Sequence, residues 1–393
     1  MRTNGKGPCA GALAALFVFA GSASAKPADA PKADALEWAF KFASAIVSDP
    51  KDMGKAQEAV VWDLTTAAQW ERAEAAAAKV EGWRRGTAYA DLATALAKTG
   101  RKDEAKGMIA KAEAVRTTVE GWQNPRISAH IANAWAALGE VDKAGTLAGA
   151  VAIEDAQQYA GRATATKAAG LASVGKVDEA QTELAKLSDA EGIDDLWWRT
   201  AGYVEIGRQT NLPRDKRLKA LAEARRTADG IPGWKKAEAL ESVADEYRKL
   251  GDTARAKECL AVAASIVEPL AATMPIKAAL LSNLACAHAE VGDKGTARRL
   301  LVEAEKVAPA VQVIDRPIVY ANTAASFASL GDKDNAKRLF TKSLDEAQTL
   351  ANARPRALAV VEICRSLAKS GLPLDAGTRE RLGTLYAGLK DPW

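Results

Sequence analysis

A glycine returns along this chain at a nearly constant interval. It stands at Gly100, Gly139, Gly175, Gly207, Gly251, Gly292, Gly331 and Gly371, at spacings of 39, 36, 32, 44, 41, 39 and 40 residues. A period of that size marks a stack of small units, none of which buries a core alone. Before each glycine runs a segment such as Tyr89–Ala97 or Tyr320–Leu330, with apolar or small residues three and four apart. Such segments are helices with one buried stripe. Glycine supplies the left-handed backbone that ends them. Aspartates that cap or charge the next helix follow at Asp103, Asp142, Asp178, Asp252, Asp293, Asp332 and Asp375.

The flanks keep register with the glycine. Seven residues before it the side chain is small: Ala93, Ala132, Ala168, Thr200, Ala244, Ala285, Ala324 and Cys364. Four before it stands a large one: Leu96, Trp135, Leu171, Tyr203, Tyr247, His288, Phe327 and Leu367. Alanine follows five residues later in every unit but the fourth, which has Leu212. Small residues at two such places let paired helices approach closely, and the large one fills the wedge beside them.

These positions together resemble the tetratricopeptide repeat, over roughly residues 57–389. The family repeats about every 34 residues; these units are longer. The resemblance implies an all-α fold, a right-handed α-α superhelix of helix hairpins whose first helices line the concave face. It also implies a non-catalytic scaffold that binds another protein or an extended peptide along that face. Nine residues before each glycine stand Asp91, His130, Thr166, Trp198, Ser242, Asn283, Asn322 and Glu362. In some family members asparagine at this place holds a peptide backbone, and an amide both donates and accepts. Asn283 and Asn322 match that residue type, and Arg126 and Asn133 add donors in the second unit. The alternative is that these side chains satisfy neighbouring loops.

Tryptophan forms a second series. Trp83, Trp122 and Trp234 each follow a glycine and precede the turn glycine by seventeen residues. They read either as staples packing a loop on the previous hairpin or as an exposed row for a partner or glycan. A large ring at a loop-to-helix entry is usually mostly buried, which favours the staple. Trp197 and Trp198, adjacent on one helix, cannot both face the core. At least one should reach the groove, which makes this pair the best candidate for a binding anchor. The expected partner site is therefore Asp91, Arg126, His130, Asn133, Trp197, Trp198, Asn283 and Asn322.

Residues 1–25 read as a secretory signal peptide. Arg2 and Lys6 precede a short apolar run, Ala10–Gly21, and Ala23-Ser24-Ala25 is a small-x-small cleavage site. Cleavage after Ala25 implies a periplasmic or secreted protein that does not span the membrane. It leaves 52 basic against 50 acidic residues, which excludes an electrostatic footprint for nucleic acid. Residues 26–33 form a flexible lead. Residues 34–81 hold a helix and a degenerate capping hairpin with Ala68 in the glycine's place. Residues 82–389 hold eight hairpins, and 390–393 a tail. The fourth hairpin is irregular, with a long turn at 209–214. Cys259 and Cys286 lie on neighbouring helices, and whether they pair depends on their Cα separation.

No catalytic, metal or cofactor constellation emerges. The chain has two histidines, and neither has a second one a helical turn away. His288 takes the large core slot. Acids such as those between Lys235 and Lys249 read as solvated helix faces. Two other readings stay open: a structural subunit of an envelope complex, and a toroidal enzyme on cell-wall glycan. The last requires the solenoid to close around convergent carboxylates. The sequence fixes neither the partner nor the oligomeric state.

Overall fold

The computed structural model describes residues 30–151, 156–187 and 193–390. Residues 1–25, expected to form a signal peptide, and 391–393 of the expected tail lie outside them. Among the described residues all regular structure is helical. In chain order the helices are α1 (Ala30–Ser44), α2 (Pro50–Thr66), α3 (Trp70–Ala77), α4 (Arg84–Lys98), α5 (Lys102–Arg116), α6 (Gln123–Ala137), α7 (Val141–Val151), α8 (Ala156–Ser173) and α9 (Val177–Leu184). They continue as α10 (Ile193–Arg208), α11 (Arg214–Asp229), α12 (Trp234–Lys249), α13 (Thr253–Val267), α14 (Pro275–Glu290), α15 (Lys294–Val307), α16 (Arg316–Ser329), α17 (Lys333–Gln348), α18 (Ala353–Ser370) and α19 (Ala376–Ala387). From α2 to α17 each even-numbered helix pairs with the next in a hairpin and also packs on its even-numbered neighbours. This is an all-helical stack of helix hairpins, the arrangement expected from the repeat.

The turns show why the repeat glycine is there. Gly100, Gly139, Gly175, Gly251, Gly292, Gly331 and Gly371 all have positive φ, between 67° and 85°. Past the later ones, the carboxylates of Asp252, Asp293, Asp332 and Asp375 accept from a backbone N–H three residues on and cap the next helix. In the degenerate first hairpin Ala68 adopts the same geometry, with φ of 55°. An L-residue with a Cβ is strained there.

Gly207 departs from expectation. It lies inside α10 rather than at a turn, and a Cβ on it would sit 2.5 Å from Cδ2 of Leu221. Its role is close packing of α10 on α11. The turn of this unit runs on to Pro213, and Leu212, 39 residues before Gly251, restores the normal register for α11.

The last unit departs further. The repeat spacing assigned α19 to α18, but α19 makes little contact with it; α1 packs along α18 as closely as any hairpin partner. The residues explain the exchange. In α17 the buried face is Ala336, Leu339, Phe340, Ser343, Leu344 and Ala347. α1 and the turn after it carry Ala35, Trp38, Ala39, Phe42, Ala43 and Ile46 at the same spacing, and all but half-buried Trp38 are inaccessible to solvent. α19 has Arg379 and Glu380 where two large apolar residues are needed. Charged groups cannot fill a dry slot, so α19 lies outside as a strap. Its Tyr386 ring meets Phe42 edge-on at 5.4 Å, and its Arg379 pairs with Asp34 at 2.6 Å.

With α1 in that slot, α18 also meets α2, and the superhelix closes into a ring of nine hairpins. Further ion pairs cross the seam. Arg354 reaches Asp49 at 2.9 Å and Asp52 at 2.8 Å, and Arg365 reaches Asp63 at 2.5 Å beside Glu362 at 2.7 Å. The Arg365–Asp63 pair is mostly buried; the Arg354 pairs are more exposed. Cys259 and Cys286 are both free thiols, the second 3.3 Å from Ser329 Oγ. No described helix is long and apolar enough to cross a membrane.

Two outcomes follow for stability. Ala68→Gly relieves left-handed strain at an exposed position and should stabilise the fold by about 1 kcal/mol in urea denaturation. Asp63→Asn takes a charge from a buried pair and should cost about 2 kcal/mol, whereas Arg354→Ala, in an exposed pair, should cost under about 1 kcal/mol.

Candidate partner-binding cavity

Ring closure turns the concave face into the wall of a central cavity of about 2300 Å³. The even-numbered helices supply the lining because their outer stripes are spent on their hairpin partners. Asp91, Arg126, His130, Trp198, Asn283 and Asn322 all line it. Two of the expected site residues do not. Asn133 is half-buried and accepts from Thr166 Oγ1 at 2.5 Å. Trp197 is partly buried against the core, so within the tryptophan pair Trp198 is the one that faces the cavity. Its indole lies over Gly161, where a Cβ would come within 2.7 Å of Cδ1.

The polar residues of the expected site tie one unit to the next. His130 Nδ1 lies 2.6 Å from Asp91 Oδ1, joining α6 to α4. Asn322 Oδ1 accepts from Ser366 Oγ at 2.8 Å, joining α16 to α18. Their partners are neighbouring first helices rather than loops. Each residue keeps polar capacity toward the cavity, since an amide or imidazole has a second polar atom.

At the N-terminal end of α4, Trp83 and Arg84 line one mouth of the cavity, and Trp122, at the start of α6, stands beside them outside its lining. Trp83 and Trp122 meet edge-on at 5.3 Å between ring centroids, with 79° between planes. The Arg126 guanidinium sits 4.8 Å from the Trp122 centroid and 5.6 Å from that of Trp83; the Arg84 guanidinium is 4.6 Å from Trp83. Arg84 is itself held by Glu58 at 2.5 Å. The staple reading fits Trp83 and Trp234, which are half-buried against the core. It does not fit Trp122, which is 51% exposed.

The far end is crossed by a chain of charges. Lys98 of α4 reaches Glu205 of α10 at 3.8 Å, although two other first helices lie between them in the ring. Arg208 joins Glu205 at 2.5 Å to Glu246 at 2.8 Å. Lys249 continues to Asp245, and Arg248 joins Asp245 to Glu290 at 3.0 Å. Burial would raise the Glu205 carboxyl, but the charges of Lys98 and Arg208 outweigh it and bring it down to about 2.

The α12 wall is different in kind. Burial, with the charges of Glu238, Asp245 and Glu290, pushes Glu241 up to about 8. Burial pushes Glu238 up to about 7 against the opposing charge of Lys235. Glu290 is raised by burial despite Arg248. Glu241 lines the cavity, yet its Oε2 is sealed from solvent and has no hydrogen-bond partner. Glu238, Glu241 and Asp245 read as part of a solvated face in the sequence. The repeat frame held a signal that they are not. Ten residues before the turn glycine the other units place Ala90, Ala129, Ala165, Trp197, Ser282, Ala321 and Val361, all but Trp197 fully buried. Glu241 is the one acid in that slot among the units with a turn glycine; Glu58, ten residues before Ala68 in the first hairpin, shares the slot but is held by Arg84 and Thr87.

No family model matches the chain, and no curated protein matches it. Among solved structures it is similar to a Rap protein complexed with competence and sporulation factor, at 14% identity over 81% of this chain and 98% of that one, with a TM-score of 0.33. It is also similar to the APC/C hetero-tetramer Cut9–Hcn1, at 13% identity over 90% and 95%, TM-score 0.21. A circular tandem repeat protein matches at 14% identity over 92% and 96%, TM-score 0.21. The closed ring is established by this chain's own contacts.

Glu241 gives stability a definite pH dependence. Its carboxyl is raised in the folded state, so the native chain binds more protons than the unfolded one between about pH 4.5 and 8. Its contribution is complete below the unfolded value and is lost as pH rises through about 8. Denaturant titrations should show stability falling from pH 5 to pH 8 by about 1 kcal/mol or more, and Glu241→Gln should flatten that slope.

Proposed function

We propose that this protein is a non-catalytic binding scaffold of the cell envelope that takes a segment of another polypeptide into the ring. The observation that carries the reading is the mouth of the cavity. A half-exposed tryptophan, edge-on to a second and overlaid by arginine, is the residue chemistry that dominates protein interfaces. Trp122 and Trp83 anchor the entering segment, and the amides of Asn283 and Asn322 and the His130 ring meet its backbone inside. Closure limits the occupant to an extended segment or a terminus. The cell-envelope setting rests on the signal-like residues 1–25; cleavage after Ala25 leaves α1 whole to close the ring.

A second reading, cleavage of a cell-wall glycan, is favoured by one observation. The ring does close, and Glu241, raised to about 8, stands beside the carboxyls of Asp245 and Glu290. A carboxyl that keeps its proton beside others held in ion pairs, as Arg248 holds Asp245 and Glu290, resembles the pair of acids that glycoside cleavage uses.

One experiment separates the two. The mature protein is used to capture partners from envelope extract, and in parallel is incubated with purified peptidoglycan while reducing ends are counted. The binding reading expects a captured protein, no released sugar, and loss of capture by about tenfold or more in Trp122→Ala with an unchanged melting temperature. Release of reducing ends that Glu241→Gln abolishes would establish the glycan reading instead.

A further inference from the structure

Four carboxyls converge on the wall formed by α12 and α14: Glu238, Glu241, Asp245 and Glu290. The basic groups nearby are already engaged. Arg248 binds Asp245 and Glu290, and Lys249 binds Asp245 and Glu246. Among the described residues Glu241 has no ion pair, and its Oε2 is sealed and unbonded. The units with a turn glycine otherwise fill this slot with alanine, serine, valine or tryptophan, and the first hairpin's Glu58 is held there by Arg84 and Thr87. An acid in the slot serves the stack only when a neighbour pairs it, and Glu241 lacks that neighbour. An unsatisfied buried carboxyl destabilises a fold by a desolvation penalty that only a partner offsets. Among the described residues no group of acids, histidines or cysteines is arranged to hold a metal ion.

We infer that this wall is a receptor for an organic cation, the ammonium of a lysine or the guanidinium of an arginine carried by the segment that enters the ring, seated at Glu241. The inference rests on the polypeptide reading above and names the side chain that segment must bear. Trp83, at the start of α4, and Arg126, on α6, lie at the opposite side of the ring of nine. A segment bound across the cavity thus meets an arginine-rich wall on one side and carboxyls on the other. Asn283 and Ser242 flank the acids and offer further polar contacts.

A consequence distinguishes this site from general attraction. The groups that act on Glu241 are Glu238 and Asp245 on its own helix and Glu290 and Cys286 on α14; the nearby cations act on those neighbours, Lys235 on Glu238, Arg248 and Lys249 on Asp245, and Arg208 of α10 is engaged by Glu205 and Glu246. Burial and like charge keep Glu241 largely protonated at pH 7 in the empty ring. An arriving cation favours the carboxylate, so binding expels the proton into solvent.

The test is calorimetry of the mature chain at pH 7 in two buffers of different ionisation enthalpy. The probes are a ten-residue Gly-Ala peptide with one central lysine, the same peptide with norleucine there, and spermidine. The lysine peptide should bind about tenfold or more tighter than the norleucine peptide and release close to one proton per molecule bound. Glu241→Gln should erase both differences. Should that variant fail to fold, Glu238→Gln should reduce both, and proton release by the wild type still decides the matter. Equal binding of both peptides without proton release would overturn the inference and leave the polypeptide reading intact. Binding of spermidine alone, with proton release that Glu241→Gln removes, would support the cation site and count against a polypeptide ligand. Binding of none of the three would overturn the cation site.

Discussion

The structure depends on one helix filling a slot that its own sequence neighbour cannot fill. α18 has an apolar face that needs a second helix, and α19 would place Arg379 and Glu380 against that face if it filled the slot. α1 presents the correct stripe, with Phe42 and Ala39 wholly buried. The free energy of burying that stripe, ~25 cal/mol per Å² of apolar surface, is available only if the two ends of the chain meet. Closure of a loop of more than three hundred residues costs entropy that grows only with the logarithm of its length. A single helix face therefore suffices to hold a large ring shut, and the arginine–acid pairs across the seam set its register.

Everything about the cavity follows from closure. In an open superhelix the first helices would face solvent, and their acids and arginines would be screened. In the ring they face one another across a confined space, where like charges raise one another's pKa and an unpaired carboxyl stays neutral. The bridge from Lys98 to Glu205 exists because closure brings non-neighbouring units together. Small residues set how closely the helices approach on that side, as where Ile127 packs against the bare α-carbon of Gly86.

Much of this was legible in the sequence, for definite reasons. Helix, turn glycine and small-residue contact are local and recur in register, so seven of the eight glycines have the turn geometry that their spacing demands. Gly207 misled because the five residues after it are an insertion, and Leu212 marks the true register. The exchange of α19 for α1 went unread because Ala376 alone was matched to the repeat; the charges at Arg379 and Glu380 already excluded α19 from the core. Glu241 reads as surface because its neighbours are charged. Alignment to the turn glycine shows it in a buried slot. Which tryptophan of the 197–198 pair faces inward follows from the same frame, since Trp197 shares the slot of Glu241 and Trp198 that of Asp91. The mouth could not be read this way, because the exposure of Trp122 depends on how adjacent loops meet.

The central claim is that the chain closes on itself through α1. Small-angle scattering of the mature protein tests it directly. A closed ring of this length should give a radius of gyration near ~21 Å and a pair-distance distribution that ends abruptly. A markedly larger radius, with a long tail of pair distances, would show an open superhelix with α1 away from α18 and would contradict the account.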